Sequence, residues 1–352
     1  MSRAPLLLVG GAFVLLHTSA VAVPAQPAER RLPRDAADDG LTLLEQAATA
    51  ARNLSYRGTQ MVSFWSEAGS SSALIDVAHD GGKGLLLRVA PTPQNPGGAV
   101  YDDESGDVPE VVGFSNAAID LLATHYDVGV EGSGEVAGRP AYVVTVRRGV
   151  APAARFWIDR ATKLPLRREV LDEAGRTIRA SAFIQLRVGP ARVSDVVIEN
   201  AAAMPAPRGV PAPAVEHLRG DGWHAPDRLP SGLELVDARM TGAGDAATVH
   251  LTYSDGLSTV SLFQQKGVLD EGSVAGWRRT DVAGDDAWVQ DAFPRRVVWA
   301  GAGVVFTVVA DCPQAALDDL VGTLPHGNPG PGIMTRMGNG LARVASWVNP
   351  FG

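Results

Sequence analysis

The sequence predicts an α+β protein, mainly antiparallel β, built as two successive β-rich units. Three observations predict it. Glycine (39) and proline (24) are plentiful in a chain of 352 residues, which calls for many turns. Strand-like runs separated by turn residues recur through residues 56–186 and again through 233–309. Between them, residues 201–214 are rich in Ala and Pro, as in Met204-Pro205-Ala206-Pro207 and Pro211-Ala212-Pro213, and read as a linker.

The first unit opens with a helix. Leu41, Leu44, Ala47, Ala48 and Ala51 share one apolar face, predicting a helix over 40–54 capped by Asp39. The period then changes. Residues 56–65 alternate and carry β-branched and aromatic side chains, so they read as a strand. Gly69-Ser70-Ser71-Ser72 reads as a turn, 73–79 as a second strand, Asp80-Gly81-Gly82 as a tight turn and 84–89 as a third strand. A short strand is expected at 108–114, and Ser115 is placed to cap a helix over 117–125. Strands are expected at 126–130, 141–147, 155–159, 165–171 and 177–186. The turns between them are Gly132-Ser133-Gly134, Asp159-Arg160-Ala161-Thr162 and Asp172-Glu173-Ala174-Gly175. Residues 40–188 therefore form one curved antiparallel sheet with about two helices.

The second, smaller unit has strands expected at 233–240, 247–253, 258–265, 287–290, 297–300 and 304–309, closed by a helix over 313–324. Arg3, the apolar run 6–16 and the small residues up to Ala25 have the three-part layout of a secretory signal peptide. An uncleaved membrane anchor is the competing reading of the same segment. The organisation predicted is thus a signal peptide over 1–25, a disordered spacer over 26–39, a first domain over 40–190, a linker over 191–214, a second domain over 215–325 and a disordered tail over 326–352. The protein is expected to be exported to an extracytoplasmic space.

Composition excludes some functions. A formal charge of −8 disfavours phosphate-backbone binding, so no nucleic-acid partner is expected. Cys312 is the only cysteine, which rules out an intrachain disulfide and a CxxC redox pair; it follows an apolar run and reads as buried and inert. The histidines have neither HxH nor HExxH spacing, and His217 and His224 read as solvated loop residues, so no metal site is expected. The acidic stretch from Asp102 to Asp107 lacks an EF-hand layout. There is no GxSxG elbow and no Walker A loop. The expectation is a protein that is not an enzyme and has no cofactor, with a hydrolase built from dispersed residues as the remote alternative.

The apolar side chains point elsewhere. Met61, Phe64, Trp65, Leu74, Leu85 and Leu87 crowd the first three strands, and Phe114 precedes the overlying helix. Leu85-Leu86-Leu87 breaks alternation and gives that strand apolar groups on both faces. Such a set suits a helix-covered core and equally a cavity for acyl chains. The basic pairs Arg147-Arg148 and Arg167-Arg168 stand at strand ends, where they could meet an acidic partner or an anionic headgroup.

Several segments resemble the RseB/MucB family of sigma-E regulators. Tyr56-Arg57-Gly58-Thr59 is similar to the start of that family's N-terminal domain, and Arg139-Pro140-Ala141-Tyr142-Val143-Val144 follows a Gly-rich turn as it does there. The stretch Phe156-Trp157-Ile158-Asp159-Arg160-Ala161-Thr162-Lys163-Leu164-Pro165-Leu166 resembles a pattern shared across the wider LolA/LolB-like carrier fold. In the second unit, Trp223 followed by Leu229-Pro230-Ser231-Gly232-Leu233, then Leu251-Thr252-Tyr253-Ser254-Asp255-Gly256-Leu257, then Gly303-Val304-Val305-Phe306, are similar to the family's C-terminal domain. The order of these motifs covers about residues 40–325. The acidic stretch at 102–107 and the Pro/Ala linker have no counterpart in the pattern. The resemblance implies a half-barrel N-terminal sheet with an apolar concave face covered by helices, and a smaller β-rich second domain. It implies binding to the extracytoplasmic domain of a membrane anti-sigma factor, release by a lipid or amphiphile, and no catalytic residues to carry over. A lipid or lipoprotein carrier of the LolA type is the alternative, and the oligomeric state stays open.

Overall fold

The computed structural model describes residues 40–66, 69–81, 84–89, 99–101, 116–190, 212–242, 244, 247–282, 285–290 and 294–327. Two antiparallel sheets account for most of them. The first contains β1 (Tyr56–Ser66), β2 (Gly69–Asp80), β3 (Gly84–Val89), β4 (Ala99–Tyr101), β5 (Asp127–Val136), β6 (Arg139–Arg148), β7 (Ala151–Asp159), β8 (Pro165–Leu171) and β9 (Thr177–Val188), in the order β4-β3-β2-β1-β9-β8-β7-β6-β5. All neighbours but one are consecutive hairpins. The exception is β9, which returns to pair with β1 and so joins the two meanders.

Helix α1 (Gly40–Asn53) forms as the apolar period requires, burying Leu44, Ala47, Ala48 and Ala51 along one stripe. Its first residue must be glycine, because a Cβ there would sit 2.9 Å from the backbone of Gly129 in β5. Helix α2 (Asn116–His125) buries Ile119 and Leu122. Both helices pack onto Val144, Val146, Ala154, Phe156 and Ile158 of β6 and β7, forming one core. A second core gathers Tyr56, Val62, Ile75, Val77, Trp157, Leu166 and Phe183.

Two expected turns are strands instead. Gly69–Ser72 is the start of β2, paired with residues 63–66 of β1. Gly132-Ser133-Gly134 lies inside β5, with a bulge between Val130 and Gly132, and the reversal comes at Ala137-Gly138, where both residues have positive φ. The glycine at 134 answers a packing need: a Cβ there would stand 2.9 Å from Nε1 of the buried Trp157. Gly134→Ala should therefore lower stability by about 1–3 kcal/mol through overpacking, measured by denaturant unfolding. The turns at 159–162 and 172–175 form as expected. At the first, Asp159, 1% exposed, accepts from Thr162 N at 2.9 Å and from Arg139 Nη2 at 2.7 Å. Burial opposes its charge, yet these hydrogen bonds hold the carboxyl below the usual carboxylate range.

The second sheet runs β10 (Arg228–Leu229), β11 (Leu233–Thr241), β12 (Thr248–Ser254), β13 (Thr259–Lys266), β17 (Val304–Ala310), β16 (Arg295–Gly301), β15 (Asp285–Gln290), β14 (Arg278–Val282). Helices α3 (Ala212–Gly220) and α4 (Gln314–Thr323) bury Val215, Leu218, Leu317 and Leu320 in its main core, with Tyr253, Trp299 and Phe306. Helix α3 begins inside the segment expected to be linker. Pro213 stands in its first turn, where the missing N–H has no intrahelical partner to lose, so proline there starts a helix rather than forbids one. Cys312 is buried, and its thiol is pushed up to about 12 chiefly by burial, with Asp311 adding to the effect.

On the sheet's other face His250 stacks on Phe263 at 4.1 Å between centroids. Burial, with the nearby Arg239 charge, pushes its pKa down to about 4. The folded chain thus binds its proton less readily than the unfolded chain, whose imidazole titrates near 6.5. Stability is full above pH 6.5 and should fall by about 2–3 kcal/mol as pH drops toward 4. A thermal-melt series for the unaltered chain and His250→Phe checks this, the variant being flatter across that window.

Candidate functional site at the junction of the two sheets

The helix-covered face of the first sheet also receives part of the second unit. The turn between β12 and β13, residues 254–258, reaches into the core beneath α2. Leu257, 2% exposed, packs there among Leu44, Ile119, Leu122 and Phe156. Gly256 has φ 90° and lies so close to α2 that a Cβ would stand 2.5 Å from Ala118 O and 2.8 Å from Leu122 N. No other residue type fits both conditions.

Asp255, 3% exposed, organises the polar side of this insertion. Its Oδ1 accepts from Leu257 N at 2.9 Å and Ser258 N at 2.8 Å, closing the turn. Its Oδ2 accepts from Tyr126 Oη at 2.5 Å and Arg148 Nη2 at 2.9 Å, both from the first unit. The Arg148 guanidinium lies over the Tyr126 ring at 4.8 Å and also donates to Ser231 O at 3.3 Å. Burial pushes the Tyr126 phenol well above its ordinary pKa, and the Asp255 charge pushes the same way, so it remains a donor.

Three further contacts widen the joint. Arg168, buried in β8, donates to Leu257 O at 2.7 Å. Arg179 of β9 pairs with Asp311, whose other oxygen accepts from Thr259 N at 2.5 Å. His125 at the end of α2 lies 3.4 Å from Glu234, and beside it Gly232 takes positive φ. The joint is a clasp of apolar wedge, buried acid and arginines.

The residues singled out from sequence divide. Arg148 and Arg168 are in the clasp. Arg147 is held locally by Glu131 at 2.7 and 2.8 Å, and Arg167 by Glu169 and the Trp157 ring at 4.7 Å. The Arg147 hydrogen bond, against the cost of burial, holds the Glu131 carboxyl below its usual range. The apolar set does not share one face. Phe64 packs with the core of Val62, Ile75 and Val77, whereas Met61, Trp65 and Leu74 point the opposite way and are 39–43% exposed. Strand alternation is the reason: 61 and 65 differ from 64 by odd numbers, and Leu74 stands opposite Met61. Leu85 and Leu87 of β3 pair with His79 and Val77 of β2, and Phe114 lies outside the described residues, as do the acidic stretch, the predicted leader and the predicted tail beyond residue 327; His326, expected in that tail, stacks on Trp299 instead. Sequence reasoning missed Tyr126, Arg179, Asp255, Gly256 and Asp311. The one visible signal was the Ser254-Asp255-Gly256 turn. Among the described residues no group of three or more His, Cys, Asp or Glu could hold a metal, and no helix is long and apolar enough to cross a membrane.

Residues 99–206 match the family model described as the MucB/RseB N-terminal domain. Over these residues the chain is similar to that domain. A curated relative, the sigma factor AlgU regulatory protein MucB of Pseudomonas aeruginosa, is 29% identical over 271 residues, covering 71% of this chain and 79% of the relative. These findings support an RseB/MucB family protein. A 271-residue match is longer than either unit, so it reaches into both. Among solved structures, MucB in complex with MucA(peri) has a TM-score of 0.47 at 21% identity, covering 82% of this chain and all of that one. The Pseudomonas aeruginosa MucA/MucB complex has a TM-score of 0.48 at 22% identity and the same coverage. Two segments of the second unit singled out from sequence, Leu229-Pro230-Ser231-Gly232 and Ser254-Asp255-Gly256-Leu257, are among those that touch the first unit here.

Proposed function

We propose that this chain is an extracytoplasmic, non-catalytic regulator that binds the extracytoplasmic domain of a membrane anti-sigma factor and so adjusts an envelope-stress response. The observation that carries the reading is the 271-residue similarity to a sigma factor regulatory protein, which is long enough to reach into both sheets. One neighbouring MucB structure is a complex with MucA(peri), which gives the reading its partner class. A lipid or amphiphile tunes the affinity, acting on the first sheet. For a ligand to do so, its affinity must differ between the partner-bound and partner-free chain. The clasp is a physical means of coupling the sheets, because Arg148, Arg168 and Arg179 tie the face of one to the turn of the other.

The test is capture of the purified exported segment of the host's own anti-sigma factor by the processed chain, read by surface binding. Saturable binding, and protection of that segment from a site-1-type protease, is the expected result. Absence of binding to any anti-sigma segment of the host would remove the reading. Native mass spectrometry with lipid extraction then addresses the amphiphile: a co-purifying acyl lipid supports it, and a clean mass with no uptake of added lipid rejects it.

A further inference from the structure

The outward face of β9, β1 and β2 combines two features that the clasp does not use. Met61, Trp65, Leu74 and Ile184 are exposed there at 39%, 40%, 43% and 46%. Met61 and Leu74 stand directly opposite each other, and Ile184 occupies the bulge that shifts the β1–β9 register at Thr59/Gln60. Four large apolar side chains together on one sheet face form a patch rather than the scattered exposure ordinary for surfaces. At one end of the same face Arg57 and Arg187 are direct cross-strand partners, both exposed. Like charges in that position destabilise a sheet. Among the described residues neither arginine makes a salt bridge, and the nearby Asp76 already accepts from Thr59 at 2.9 Å.

We propose that this face docks on an anionic membrane surface, with Trp65, Met61, Leu74 and Ile184 entering the interface and Arg57 and Arg187 meeting lipid phosphates. The stripe from Arg57 to Trp65 is about 26 Å long at roughly 3.3 Å per residue. It is open sheet rather than a groove, which suits a flat surface. Tryptophan at such a boundary keeps its ring among acyl carbons and its N–H among headgroups. Charge argues the same way: the chain carries −8 overall, so an anionic surface repels it except where an uncompensated cation pair is displayed. The inference is independent of which anti-sigma factor is bound.

The experiment is co-sedimentation of the chain, as processed by an exporting host, with vesicles of phosphatidylcholine alone and of phosphatidylcholine mixed with phosphatidylglycerol. The unaltered chain is expected to partition onto the mixed vesicles, to release them at high salt, and to leave the neutral ones in solution. Combining Arg57→Gln with Arg187→Gln should lower partitioning about thirty-fold, the equivalent of two interfacial cations. The same variant should melt at or above the temperature of the unaltered chain, since a repulsion is removed. Met61→Ser with Leu74→Ser should also lower partitioning by at least tenfold. Equal partitioning onto both vesicle types, none onto either, or indifference to both variants would overturn the proposal. So would a chain that ignores vesicles but loses anti-sigma binding with the arginine variant, which would assign this face to a protein partner.

Discussion

Gly256→Ala is expected to cost the folded chain about 2–5 kcal/mol, combining a residue forced into positive φ with overpacking against a helix. The φ of 90° accounts for one part. The other is the approach to α2, where the new methyl would meet Ala118 O at 2.5 Å, Leu122 N at 2.8 Å and Leu122 Cγ at 2.9 Å. Helix backbone cannot yield as a flexible side chain can, so the turn must retreat and draw Leu257 from its pocket. Gly276→Ala separates the two causes. Gly276 has φ 85° but no atom within 4 Å of its would-be Cβ, so its substitution carries only the backbone strain. Urea unfolding should show Gly256→Ala to be the more damaging by at least 1 kcal/mol, and small-angle scattering should show a larger radius of gyration for it alone. Equal losses would mean that the turn is not wedged under α2.

Asp255→Ala carries the second large effect, about 3–4 kcal/mol, because it strands several buried donors at once. Leu257 N, Ser258 N and the Tyr126 hydroxyl each lose their acceptor. Arg148 loses less, since its side chain is 50% exposed and water can replace the carboxylate. Asp255→Asn keeps an oxygen for the turn and removes the charge, and should cost only about 1 kcal/mol. If the clasp couples the sheets, Asp255→Ala should also change anti-sigma affinity, whereas Gly134→Ala, which also lowers stability but is remote from the joint, should leave it unchanged. Identical affinities for all three chains would separate stability from function and deny the clasp a regulatory part.

Much of the architecture was readable from local chemistry. The stripe Leu44, Ala47, Ala48, Ala51 marked α1, and the Asp159–Thr162 and Asp172–Gly175 turns formed where their side chains can satisfy backbone donors. The errors share one cause. Gly132–Gly134 and Gly69–Ser72 have the composition of turns, but glycine and serine are also what a strand uses where a neighbour presses close or a pair of hydroxyls bonds across strands, as Ser63 and Ser72 do at 2.8 Å. Pro213 looked like linker because a proline at a helix start and a proline in a linker are the same letter.

The candidate site was much less legible. Sequence marked Arg148 and Arg168 as cations in search of a partner, and their partners proved to lie within the chain. Tyr126 meets Asp255 across 129 positions, Arg148 meets it across 107, and Arg179 meets Asp311 across 132. No period or motif reports a pairing at that distance. By itself the sequence determined the two β-rich units, the helix faces and the resemblance to MucB/RseB proteins, because alternation, turn chemistry and motif order are properties of neighbouring residues. Only the tertiary structure decided that the apolar row of β1 and β2 is split between two faces, that Asp255 is buried, and that a turn of the second sheet fills the core of the first. Those outcomes depend on which surfaces exclude water together, and that is settled when distant segments pack.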